Sequence, residues 1–233
     1  MDEMKEILCN SVFFGVAVSL FAYEVGVWLK KKTKLAICNP LLVSIIIVIC
    51  ILLFFNVDYD SYYEGAKYLS YLLTPATVCL AVPLYEQLSL LKSNWKAIMV
   101  GIVSGVLTSA FCVFALCLLF GMSHEEYVTL LPKSITTAIG MGVSQELGGI
   151  VTITVAVIVI TGVFGNMIAE TVCRLFHIEE PIAKGIGIGS ASHAMGTTKA
   201  IEMGEIEGAM SSLSIAVAGL LTVVAASVFA NFI

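Results

Sequence analysis

The residues with the most chemistry to offer gather between Gly185 and Lys199, in the stretch Gly-Ile-Gly-Ile-Gly-Ser-Ala-Ser-His-Ala-Met-Gly-Thr-Thr-Lys. His193 lies within one or two helical turns of Ser190, Ser192, Thr197 and Lys199. An imidazole and an ammonium supply positive charge, and hydroxyls supply hydrogen-bond donors. That set suits a small carboxylate. His193 also titrates near neutrality, so it is a candidate for proton coupling. Glu146 and Glu202 are candidates for pairing with these cations, or for simple end-capping of helices. Ser192 and His193 are adjacent, which places them about 100° apart on a helix and makes a poor nucleophile–base pair. The sequence holds no G-x-S-x-G, H-E-x-x-H or P-loop motif. No enzymatic activity is expected.

Two more segments combine Pro or Gly with hydroxyls and charge. One runs from Thr74-Pro75-Ala76-Thr77 to Pro83-Leu84-Tyr85-Glu86-Gln87. The other runs from Pro132-Lys133-Ser134-Ile135-Thr136-Thr137 to Gln145-Glu146-Leu147-Gly148-Gly149. Each opens on a threonine pair or Thr-Pro and precedes an apolar run, an echo that reads as an internal repeat. The candidate binding residues are therefore Thr74, Thr77, Tyr85, Lys133, Ser134, Thr136, Thr137, Gly189, Ser190, Ser192, His193, Gly196, Thr197 and Lys199. The blander reading is that small residues let helices pack closely.

The elements that position these residues follow from composition. The chain has 233 residues, 59% hydrophobic and only 12% charged, with a mean hydropathy of +0.99. A soluble domain carries roughly 25% charge, and a water-soluble surface this apolar cannot be built. A net charge of -5 without a basic stripe excludes nucleic acid as a partner. The protein reads as an integral membrane protein, all-α, a polytopic bundle of transmembrane helices with broken or re-entrant members. Runs near the ~20 residues needed to cross hydrocarbon are 7–29, 35–55, 97–120, 150–173 and 209–233. About six crossings plus re-entrant segments fit. Asn56 to Lys67 and Gly121 to Lys133 read as loops. No linker divides the chain, so 1–233 is treated as one membrane domain.

Lysines 30, 31, 32 and 34 mark a cytoplasmic loop by the positive-inside rule. Lys92, Lys96, Arg174 and Lys184 then fall inside, and Glu125 and Glu126 outside. The runs 97–120, 150–173 and 209–233 read as clean spans without a polar stripe. Broken helices at membrane depth are the usual substrate-site builders of secondary transporters. The seven cysteines form no C-x-x-C pair. Neither a disulfide framework, a metal nor a cofactor is expected.

At these segments the sequence resembles the LrgB/CidB family of bacterial membrane proteins. The resemblance runs through Pro75-Ala76-Thr77, Val82-Pro83-Leu84-Tyr85, Pro132 to Thr137, Gly148-Gly149 and, most specifically, Ala183 to Thr197 with Lys199-Ala200. Ala138 departs from it, standing where the family commonly has Pro. The resemblance implies one of two roles in the bacterial cell membrane. One is holin- or antiholin-like control of murein hydrolase activity and lysis. The other is transport of small monocarboxylates of the pyruvate, lactate, glycolate or glycerate class. It also implies a small LrgA/CidA-type membrane partner. A homodimer is expected only by analogy with other transporters.

Overall fold

The computed structural model describes residues 13–33, 38–79 and 81–233, with the side chains of Ser70, Leu73, Thr74, Thr77, Pro83 and Leu84 outside that description. It is helical, with no strand among the described residues. The chain forms two compact units, 1–79 and 80–233.

In the first unit, α1 (Phe14–Thr33) packs against α2 (Pro40–Phe55) and α3 (Tyr59–Ser70). Asn39 starts α2: its side chain accepts from the amides of Leu41 and Leu42, with Pro40 in the first turn. Asn56 ends it in the left-handed conformation. The tyrosine-rich stretch expected as a loop is instead the helix α3. Asp58 caps it, accepting from the Asp60 amide, and Lys67 sits in its last turn. Gly15 lets α3 approach α1 backbone to backbone, and the Ser19 hydroxyl meets the Tyr62 hydroxyl at 2.7 Å. The unit closes with α4 (Leu73–Cys79), which carries Thr74, Pro75 and Thr77.

The second unit opens with α5 (Ala81–Glu86) and α6 (Leu88–Phe120), and Gly121 at φ 62 ends α6. Then come α7 (His124–Leu130), α8 (Thr137–Glu146), α9 (Val151–Leu175), α10 (Pro181–Met203) and α11 (Glu205–Phe229), with a 3-10 turn at Ala230–Phe232. Among the described residues, Leu88–Phe120, Val151–Leu175 and Glu205–Phe232 are long and apolar enough to cross a membrane. This is a multi-pass membrane protein. Trp28 and Trp95 are both exposed, as interfacial anchors should be.

The loop expected at 121–133 contains α7. Ser123 and Glu126 form a capping box there. The Ser123 amide and hydroxyl both donate to the Glu126 carboxylate, and they hold its pKa below the usual carboxylate range.

Segment 124–146 is a re-entrant hairpin. Its entry lies beside the C-terminus: His124 Nδ1 is 2.7 Å from the Ile233 carbonyl, and the Tyr127 hydroxyl donates to Phe229 O. The chain descends to a turn at 131–136 and returns through α8. Its two legs are tied together through Thr129. Thr129 Oγ1 accepts from the Ile150 amide at 2.8 Å, and Thr154 Oγ1 lies 2.9 Å from Thr129 O and 2.7 Å from Ser144 Oγ.

Segment 181–203 is a second hairpin of similar length. His193 breaks it with φ 41 and ψ -141. A Cβ built on Gly196 would stand 3.2 Å from the carbonyl oxygen of Ile188, a distance no straight helix permits across eight residues. Residues 181–192 run back along α9, and 194–203 return beside it. Ala169, Ile188 and Ala200 consequently share one buried cluster. Gly185 and Gly189 let α11 approach so closely that a Cβ would run into the backbones of Glu207 and Ser211.

The two hairpins enter from opposite ends of the unit. α6 runs parallel to 181–192, with Gly101 beside Ile186 and Gly105 beside Ser190. It is therefore antiparallel to α9. Each span is followed by a hairpin, and the second span–hairpin pair is inverted relative to the first. The correspondence links the second and third broken segments, whereas the sequence echo linked the first and second.

Gly189→Ala should destabilise the protein by about 1–3 kcal/mol through overpacking against α11. Gly187→Ala, whose Cβ would meet nothing within 4 Å, should leave stability within about 0.5 kcal/mol. Thermal unfolding of both variants in detergent checks the pair.

Candidate functional site

His193 is the tip of the second hairpin. It lies beside Gly162, midway along α9, and so reaches the middle of the bilayer. A side chain there must be satisfied by protein. The ring donates from Nε2 to the Ile158 carbonyl at 3.1 Å, which fixes the proton on Nε2 in the neutral ring. Gly162 and Gly165 leave room for His193 and Ser192 against α9. The returning leg is held by four further contacts. Asn166 donates from Nδ2 to Met195 O at 2.7 Å and to Thr198 Oγ1 at 2.9 Å. Thr197 Oγ1 donates to the His193 carbonyl, and it meets Ser211 Oγ of α11 at 2.7 Å.

Beside this hairpin lies a cavity of about 750 Å3, walled by α6, residues 182–191 and the turn of the first hairpin. Asn94 and Glu180 stand at one end of the lining, the end that also carries Lys92, Lys96, Arg174 and Lys184. By the positive-inside rule that end is cytoplasmic. At the deep end, Lys133 Nζ donates to Ser134 Oγ at 3.1 Å, and Ser134 Oγ meets Ser109 Oγ at 3.0 Å. Thr108 and Ser190 add hydroxyls to the same wall. A smaller void of about 10 Å3 continues inward between Ser109, Ser134, Ser190 and Thr222, the size of a single water. Beyond it the space ends on a packed apolar cluster that includes Val113, Cys117, Tyr127, Val128, Leu131 and Ala226.

The structure thus brings Lys133 and Ser134 from the second candidate segment together with Ser190 from the third. The other candidates sit elsewhere. Thr136 and Thr137 start α8, half-buried and outside the cavity lining. Gly189, Ser192, His193, Gly196 and Thr197 build the interior of the hairpin. Lys199 pairs with Glu170 at 3.0 Å and with Glu202 at 3.5 Å. Glu146 is exposed at the end of α8, and Tyr85 is 78% exposed on α5. Thr74 and Thr77 fall among the side chains outside the description.

The reading of 97–120 as a span without a polar stripe is corrected. Gly101, Ser104, Gly105, Thr108, Ser109 and Cys112 follow the 3.6-residue period and make one wall of the cavity. That spacing was available in the sequence. The strong mean apolarity of the segment hid it. Glu207 also went unnoticed: it is buried in the first turn of α11, with Lys184 Nζ 4.0 Å away.

A profile described as the LrgB-like family matches residues 19–232. The antiholin-like protein LrgB of Bacillus cereus (strain B4264) is 37% identical over 222 residues, covering 95% of this chain and 96% of the relative. The antiholin-like protein LrgB of Bacillus anthracis (strain CDC 684 / NRRL 3495) matches to the same extent. No solved structure matches.

Asn166→Leu removes the amide donor from the half-buried Met195 carbonyl, which keeps only the Thr198 hydroxyl, a loss of about 0.5–1.5 kcal/mol. Amide hydrogen exchange across 194–200 should accelerate in this variant, while exchange across the first hairpin stays at the wild-type rate.

Proposed function

Because the chain belongs to the LrgB-like family, we propose that it acts in the bacterial cell membrane as an antiholin-like protein, tuning membrane permeability and, through it, murein hydrolase activity and lysis. The observation that carries this reading is the near full-length kinship with proteins of that name. The working unit of this proposal includes a small membrane partner of the LrgA/CidA type and a second copy of the chain. It assigns the chain no catalytic step.

One structural observation favours a second reading, passage of small monocarboxylates of the pyruvate, lactate, glycolate or glycerate class. The cavity contains one half-buried lysine and hydroxyls from three separate elements, at the depth where two hairpins approach from opposite sides. Backbone at membrane depth that lines a cavity is how secondary transporters build solute sites.

Proteoliposomes separate the readings. Labelled pyruvate, lactate, glycolate and glycerate would be offered to vesicles with and without an LrgA-type partner, beside a dye-leakage control. Saturable, mutually competing uptake without dye leakage is the result expected of a carrier. The antiholin-like reading expects no selective uptake, and expects detergent-induced autolysis of host cells to fall when the chain and its partner are expressed.

A further inference from the structure

We infer that Lys133 selects ligands by charge in the cavity of the second unit: its ammonium, with the Ser109 and Ser134 hydroxyls, holds one singly charged oxyanion at mid-membrane, and Glu180 at the mouth disfavours a second negative charge. This deepens the passage reading above and rests on it.

Three cations were candidates for that role, and two are already committed. His193 gives its Nε2 proton to Ile158 O and is packed against α9. Lys199 is engaged by two carboxylates. Lys133 lines the cavity and donates to a neutral hydroxyl, and among the described residues it forms no ion pair. An ammonium held in low-dielectric surroundings without a counter-charge is costly. An oxyanion accepting from it removes that cost and gains charge-assisted hydrogen bonds. The neighbouring hydroxyls can turn their protons toward the same oxygens, because Ser109 and Ser134 oppose one another 3.0 Å apart with either as donor.

Size argues that charge, rather than fit, is what discriminates. About 750 Å3 lies in the range of roughly 300–1,000 Å3 that holds drug-sized ligands. A two- or three-carbon acid fills a small part of it and enters with water. With one lysine at depth and one glutamate at the mouth, the lining neutralises a monoanion. A dianion would remain uncompensated by one charge and would pass a carboxylate on entry.

The test is direct binding to the full-length protein in detergent, followed by calorimetry. Acetate, its neutral isostere acetamide and the dianion malonate are the probes. Wild type should bind acetate and discriminate against acetamide and malonate. Lys133→Met should weaken acetate binding about tenfold or more, the worth of a charge-assisted hydrogen bond. Lys133→Arg, which keeps the charge, should preserve the preference for acetate over acetamide. Glu180→Gln should narrow the gap between acetate and malonate, and it keeps the proposal testable where Lys133→Met does not fold. Acetate binding unchanged in Lys133→Met, equal binding of acetate and acetamide, or no acetate binding by wild type would each overturn the inference. Acetate binding that depends on Lys133, with no uptake in vesicles, would sink the carrier reading and leave this one standing.

Discussion

Backbone amides and carbonyls in the middle of a bilayer have no water to turn to, and the second unit is organised around that constraint. Two hairpins bring irregular backbone to mid-depth, and each is closed by side chains from neighbouring spans. At the second tip, His193 adopts a left-handed φ that non-glycine residues seldom take. It is held there by the Ile158 carbonyl, by Asn166 on the Met195 carbonyl and by the Thr197–Ser211 pair. At the base of the first hairpin, Thr129, Ser144 and Thr154 do the same work and are buried. Hydroxyls in these apolar spans are the terms on which a hairpin can exist at all.

Close packing follows from the same constraint. Lipid tails are as apolar as leucine, so burying methyl groups drives helix association weakly, and close van der Waals approach matters more. Gly185 and Gly189 face α11, Gly162 and Gly165 face the hairpin from α9, and Gly101 and Gly105 face it from α6. The hairpin is wedged among three spans, by its own glycines against α11 and by glycines of α9 and α6. The cavity opens where this packing stops, between α6 and residues 182–191, and polar groups already needed for closure become its lining.

Electrostatics then sorts the cations. Lys199 sits near the cytoplasmic end of α9 and is drawn to Glu170 and Glu202, where charge is cheaper to keep in pairs. Lys184 approaches Glu207 in the first turn of α11. Lys133 arrives from the opposite side on the first hairpin and, among the described residues, meets no carboxylate. The asymmetry gives the deep end of the cavity a positive potential with donors around it, whichever physiological role that potential serves.

The sequence by itself determined that the protein is a helical membrane protein, where the three spans of the second unit lie, and that 181–203 is broken, because apolar length and a Gly-Ser-His run are local properties of the chain. It also carried the α6 stripe, legible in the spacing of Gly101, Gly105, Thr108 and Cys112 though obscured by their apolar neighbours. It left α3 and α7 looking like loops, since their polar residues cap short helices whose buried faces belong to other elements. Only the tertiary structure decided which candidates meet. His193, the leading candidate in the sequence, gives its hydrogen bond to Ile158. Lys133, one loop lysine among several, ends beside Ser109 and Ser190. The reason is that a hairpin's depth and direction depend on which span satisfies its backbone, and that pairing joins residues tens of positions apart.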